Sequence, residues 1–107
     1  MRGAMASFRE LPLLSSLQTT IESQGLVSPT DIQARVIPAL LAGRSVVGVA
    51  ETGSGKTLAY ALPILHVLKT IEASEPTSSQ TAPRALVIVP SREIGDQVAR
   101  VFKIFTH

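Results

Sequence analysis

Residues 50–57 read AETGSGKT, directly after the apolar run Val46-Val47-Gly48-Val49 and directly before a long stretch rich in Leu and Ala. Gly53 and Gly55 can adopt backbone angles and close approaches that a Cβ would block. The amides of Gly53 to Thr57 can then point inward at phosphate oxygens, at the positive end of the helix that follows. Lys56 brings a point charge to the β- and γ-phosphates, and the Thr57 hydroxyl is placed to hold Mg²⁺. A strand before and a helix after give such a loop its meaning; without them it is a glycine-rich turn with a solvated lysine. One position is off pattern. Ala50 stands where the general phosphate loop has its first glycine.

The rest of the composition sets bounds. A chain of 107 residues allows at most one small domain. A hydrophobic share of 45% with 17% charged residues argues for a folded chain with a core rather than disorder. Ten basic residues against eight acidic leave +2, and they are scattered without a run of like sign. Charge alone therefore does not announce a nucleic-acid surface. No cysteine is present, which excludes disulfides and thiolate metal sites and suits a reducing compartment. The longest apolar reach, 58–68, is interrupted by Pro63 and His66 and falls short of the roughly 20 residues of a membrane span. No apolar signal region follows the opening MRGAM, so a cytoplasmic protein with no membrane partner is expected.

Along the chain, 7–12 reads as an irregular lead-in. A helix starts at Ser15 or Ser16 with a serine as its N-cap, carries Leu17 and Ile21 on one face, and closes at Gly25 as its C-cap. A second helix follows, with Ser28 as its candidate cap and Pro29 as its first residue. It places Ile32, Val36, Ile37, Leu40 and Leu41 on one face, carries Pro38 inside, and ends at Gly43. Residues 45–49 read as a strand buried on both faces. A third helix runs from Lys56 to about Glu72. The polar, proline-bearing 73–83 (ASEPTSSQTAP) reads as a flexible surface loop. Residues 85–89 (ALVIV) read as a second buried strand, and Ser91 caps a last helix. Two buried strands joined by a helix describe one right-handed parallel βαβ unit with flanking helices. A two-stranded parallel sheet leaves both edges open, so the fold class is α/β and the unit reads as the front of a larger domain.

The alanine at position 50 now finds its context. AETGSGKT resembles the A-x-T-G-S-G-K-T form of the phosphate loop in DEAD-box RNA helicases, and the flanks IPALLAGRSVVGVA and LAYALPIL agree. Upstream, GLVSPTDIQ (25–33) resembles that family's Q motif, and Phe8 lies 17 positions before Gly25, about where these helicases place an isolated aromatic. Downstream, PSREIGDQ (90–97) resembles motif Ia, usually P-T-R-E-L-A-x-Q. The resemblance implies a partial RecA-like P-loop NTPase domain. Residues 1–24 would be the lead-in and first helix, and 25–107 the opening of RecA-like domain 1.

It also implies roles. Thr52, Gly53, Ser54, Gly55, Lys56 and Thr57 would hold ATP, with Lys56 and Thr57 serving catalysis and Thr57 the Mg²⁺. Gln33 would bond the adenine N6 amine and N7 together, as glutamine reads adenine in DNA, and so select ATP over GTP. Phe8 would stack on the base, and Ser28 would contribute through its backbone. Pro90, Ser91 and Arg92 would touch the RNA sugar-phosphate backbone without reading bases. Taken alone, Gln33 would be a surface residue, Phe8 a core anchor and Arg92 half of a surface ion pair with Glu93 or Asp96.

The departures are mild. Motif Ia has Ser91, Ile94 and Gly95 for Thr, Leu and Ala, while Pro12 and Ser45 stand where many members carry Gly and Asp. The D-E-A-D segment, the S-A-T segment and the second RecA-like domain do not occur in this sequence, so unwinding and ATP turnover are expected of the intact protein and not of these residues alone. His66 and His107 read as structural or incidental. Three rivals stay open: another P-loop enzyme such as a nucleotide kinase or GTPase, a non-catalytic chain that binds a nucleotide, RNA or a partner helicase, and a purely structural α/β domain.

Overall fold

The computed structural model describes residues 7–51, 55–74 and 83–106. It contains four helices in those residues: α1 (Ser15–Ser23), α2 (Asp31–Leu41), α3 (Lys56–Ser74) and α4 (Arg92–Phe105), with a short 3-10 turn at Phe8–Glu10 ahead of them.

Local chemistry explains the helix ends. Helix α1 stops where Gly25 takes a φ of 76°: the Gly25 N–H donates to the Glu22 carbonyl and the Leu26 N–H to that of Ile21. This double closure satisfies two end carbonyls and needs a left-handed residue, which glycine supplies without strain. Gly43 closes α2 in the same way, through Leu40 and Ala39. The start of α2 differs from expectation. Its cap is Thr30, and the helix begins at Asp31, not at Pro29. The Thr30 hydroxyl accepts from the Gln33 N–H while the Gln33 side chain accepts from the Thr30 N–H, a reciprocal pair that Ser28 is too far upstream to form. At α4 the expectation holds: the Ser91 hydroxyl accepts from the Ile94 N–H.

The core forms where the lead-in and all four helices meet. Phe8, Leu11 and Leu13 pack with Leu17 and Ile21 of α1, Ile37 of α2, Leu62 and Leu65 of α3, and Phe105 of α4. Helix α3 is central: it packs on both α2 and α4. The lead-in is tied down by polar bonds as well. The Gln18 side-chain amide donates to the carbonyls of Phe8 and Leu11, the Phe8 N–H donates to the Val27 carbonyl, and the Leu14 N–H donates to His66 Nδ1. His66 is thus a structural acceptor, as its place on an apolar helix suggested.

The two β-branched runs differ from the strand expectation. Among the described residues there is no β-strand, so the parallel βαβ unit is not shown. Nor are the runs buried on both faces. Val47 and Val49 are 94% and 90% exposed, and Leu86 and Ile88 are 78% and 85% exposed. Val87 and Val89 are half-buried, so the second run alternates as a strand would, one side toward α4 and the other bare. Each run lies against a helix: a Cβ at Gly48 would meet Ile32 and Val36 of α2, and a Cβ at Gly95 of α4 would meet Val89. A strand needs a neighbouring strand for its amides and carbonyls, and leaning on a helix supplies none.

Candidate nucleotide-binding site

The phosphate loop enters α3 at its N-terminus. Gly55 has a φ of 85°, a left-handed conformation that glycine tolerates, and its carbonyl accepts the Ala59 N–H as the first bond of the helix. Lys56, the first residue of α3, is exposed, and its ammonium donates to the Ala50 carbonyl at 2.7 Å. Thr57 is half-buried in the first turn. Three residues expected to complete the phosphate pocket, Thr52, Gly53 and Ser54, lie outside the described residues. Helix α3 is 19 residues long, so its N-terminus carries the partial positive charge and free amides that favour phosphate.

Gln33 is joined to this loop. It is 3% exposed, the buried polar side chain among the described residues. Its Oε1 accepts from the Thr30 N–H at 2.9 Å, and its Nε2 donates to the Gly55 carbonyl at 3.1 Å. The surface-residue alternative therefore fails. Each end of the amide retains one further bonding position, since Oε1 has a second lone pair and Nε2 a second hydrogen. The Q-motif segment and the loop form one unit across 22 positions of sequence.

Phe8 requires a correction. It is 2% exposed and sits inside the main core, so its ring offers no open face to a base. Burial of an aromatic side chain among leucines, together with the Phe8 to Val27 main-chain bond, makes it the anchor of the lead-in. Ser28 is exposed and does not cap α2. Thr30 was the residue that sequence reasoning missed. Its signal was present as TDIQ, a threonine followed three positions later by glutamine.

Pro90, Ser91 and Arg92 are exposed together at the start of α4. Ser91 Oγ accepts from Ile94, which leaves its hydroxyl hydrogen to donate outward. The ion pairs formed between described residues are Arg9–Glu22 and Arg35–Asp31, so Arg92 is not engaged with Glu93 or Asp96. No bond joins this turn to the phosphate loop among the described residues. Those residues also hold no group of three or more His, Cys, Asp or Glu placed to bind a metal, and no helix long and apolar enough to cross a membrane.

Comparison with known proteins gives one answer. The sequence profile of the DEAD/DEAH box helicase family matches residues 30–107. The chain is 44% identical over 97 residues to the ATP-dependent rRNA helicase rrp3 of Aspergillus oryzae, covering 91% of this chain and 19% of that protein. It is 44% identical over 100 residues to the ATP-dependent RNA helicase DeaD of Mycobacterium tuberculosis, covering 94% and 16%. Among solved structures, the RNA helicase Prp28 of Chaetomium thermophilum bound to ADP superposes with a TM-score of 0.82 at 34% identity, over 98% of this chain and 25% of that one. A DEAD box protein of Methanococcus jannaschii gives 0.79 at 31% identity, over 96% and 26%. The chain thus spans less than a fifth of the length of these two curated relatives. It belongs to the DEAD/DEAH box helicase family.

Proposed function

We propose that these residues are the ATP-binding opening of an ATP-dependent RNA helicase, whose intact form uses ATP to unwind or remodel RNA. The observation that carries this is the joining of Gln33 to Gly55 beside Lys56 at the N-terminus of α3. An adenine-type reader and a phosphate-type cation are thereby held within one unit. The residues fit a nucleoside triphosphate: a left-handed glycine, an exposed ammonium with hydrogens beyond the one given to Ala50, and a helix N-terminus suit the phosphates. The remaining hydrogen and lone pair of Gln33 match the N7 and N6 amine of adenine. Thr57 would offer an oxygen to Mg²⁺, whose role is to neutralise charge on the phosphates.

In the intact protein, residues 45–49 and 85–89 would be strands of a parallel sheet, completed by chain that supplies their missing backbone partners. The one-sided alternation of the second run supports that reading. Pro90, Ser91 and Arg92 would then stand at the carboxyl end of the second strand and meet the RNA backbone, a contact that carries no base information. The relatives named as RNA helicases support this, as does the exposure of all three residues. A cytoplasmic location is proposed because a chain without cysteine suits a reducing compartment.

The test is a side-by-side titration of the full-length protein with Mg-ATP and Mg-GTP. Tighter binding of ATP is expected. Equal affinity for both would remove the adenine-reading role of Gln33 and leave a generic P-loop protein; binding of neither would remove the nucleotide site.

A further inference from the structure

Helix α1 begins without a cap of its own. Leu14 precedes it and offers no side-chain bond, although the Leu14 carbonyl accepts the first helical bonds, from the N–H groups of Leu17 and Gln18. The Leu14 N–H is met from another element: it donates to Nδ1 of His66 on α3 at 3.2 Å, across 52 positions of sequence. A backbone N–H can only donate, so Nδ1 must present its lone pair and the ring hydrogen must sit on Nε2. His66 is half-buried and follows Leu65, which packs with Leu13 in the core. The nucleotide-site reading gives this histidine no task.

We infer that the anchor of the lead-in is a pH-sensitive latch, held by His66 while its imidazole is neutral and released when Nδ1 takes a proton. Protonation replaces the lone pair with an N–H, so two donors face each other where one bond stood. The charge gained stands at the start of α1, the positive end of that helix's dipole. Among the described residues no acid is paired with His66 to hold the charged form. Arg9 is paired with Glu22 of α1, and Arg35 with Asp31 of α2. Glu10 of the lead-in, Lys56, Lys69 and Glu72 of α3 itself, and Arg92, Glu93, Asp96, Arg100 and Lys103 of α4 form no ion pair with it. The bond therefore contributes stability above the range in which the imidazole titrates, and that contribution is lost as pH falls through it. What loosens is the stretch between Leu11 and α1, which joins the buried Phe8 turn to the helices.

Hydrogen exchange of the full-length protein tests this, read by mass spectrometry on peptides spanning residues 11–18. Measurements at about pH 8 and about pH 5 bracket the usual imidazole range. His66→Leu removes the acceptor, while His66→Gln keeps an acceptor that does not titrate. Proteins are compared at the same pH, so the intrinsic pH dependence of exchange cancels. At about pH 8 the wild type is expected to exchange about fivefold more slowly than His66→Leu, the equivalent of one net hydrogen bond. At about pH 5 that difference should vanish, whereas His66→Gln should keep its advantage over His66→Leu at both values. A wild-type advantage that is the same at both pH values, or absent at both, would overturn the inference. So would a loss of protection at acid pH in His66→Gln that matches the wild type, since another group would then be titrating. Should His66→Gln behave as His66→Leu throughout, the wild type against His66→Leu decides alone.

Discussion

The Lys56 ammonium reaches back six positions and donates to the main-chain carbonyl of Ala50 at 2.7 Å. The partner is a backbone oxygen, so the identity of the residue at position 50 matters little to the contact. This accounts for the alanine that departs from the general phosphate-loop pattern. When phosphate binds, the ammonium exchanges a neutral acceptor for an anionic one, and charge-assisted bonds are the stronger kind.

Two substitutions test that account. Ala50→Gly is expected to leave Mg-ATP affinity of the full-length protein within about twofold, because the carbonyl is retained. Lys56→Ala should weaken Mg-ATP by roughly 10- to 100-fold, in line with about 1.5–3 kcal/mol for a hydrogen bond to a charged group. Calorimetric titration of both variants would check it, and wild-type affinity in Lys56→Ala would refute the phosphate role.

Thr30 carries the start of α2 and, through Gln33, the edge of the site. Thr30→Ala removes the acceptor for the Gln33 N–H and should cost about 1 kcal/mol of stability, whereas Thr30→Ser should cost only a few tenths. The shift in urea midpoint, compared across the two variants, measures this. Equal loss in both would mean that the hydroxyl is not what matters.

Gly95 sits in the first part of α4, where the resemblance leads one to expect alanine. Alanine would improve helix propensity by up to about 1 kcal/mol. Against this, its Cβ would stand 3.3 Å from Val89 Cγ2. Val89 is only half-buried and borders a cavity of about 390 Å³ that it shares with Ala85, Val87, Val98 and Phe102, so it has room to give. Gly95→Ala is therefore expected to raise Tm by a few degrees. A fall in Tm would show that the Val89 contact dominates.

Arg92 is exposed and joined to no acid among the described residues. If it meets a phosphate, Arg92→Ala should weaken single-stranded RNA of any sequence alike. It should also make the slope of log affinity against log salt shallower by about 0.7, the share of one released counterion. Filter binding at several salt concentrations distinguishes this from a structural effect, which would leave the slope unaltered.

Much of the local structure was legible in residues 15–43 and 91–105. Periodic apolar positions located α1, α2 and α4, Ser91 marked the start of the last helix, and Gly25 and Gly43 marked the ends of the first two. Two starts were misread: the serine cap expected of α1 is absent, Leu14 preceding the helix with no side-chain bond, and Ser28 for Thr30 came from giving Pro29 more weight than the reciprocal pair formed by Thr30 and Gln33. The candidate site was legible as a motif, since Gly55 and Lys56 lie where the loop pattern puts them. The side-chain arrangement was not. Whether Phe8 faces a base or the core depends on Leu17, Ile21, Leu62 and Phe105, all distant in sequence. Gln33 meets Gly55 only because α2 packs on α3.

The two apolar runs mark the boundary between these kinds of information. A helix bonds each amide to a carbonyl four residues earlier, so a short stretch of sequence contains everything its backbone needs. Residues 45–49 and 85–89 have the composition of strands, and the second has the alternation too. Their amides and carbonyls must be met by another strand, and composition cannot supply one. In this structure each run has a helix on one side and solvent on the other, so the helices formed and the sheet did not. Helix positions, caps and the phosphate motif thus belong to the sequence. Strand pairing, the burial of Phe8 and the aim of Gln33 belong to contacts between distant residues, which only the folded chain establishes.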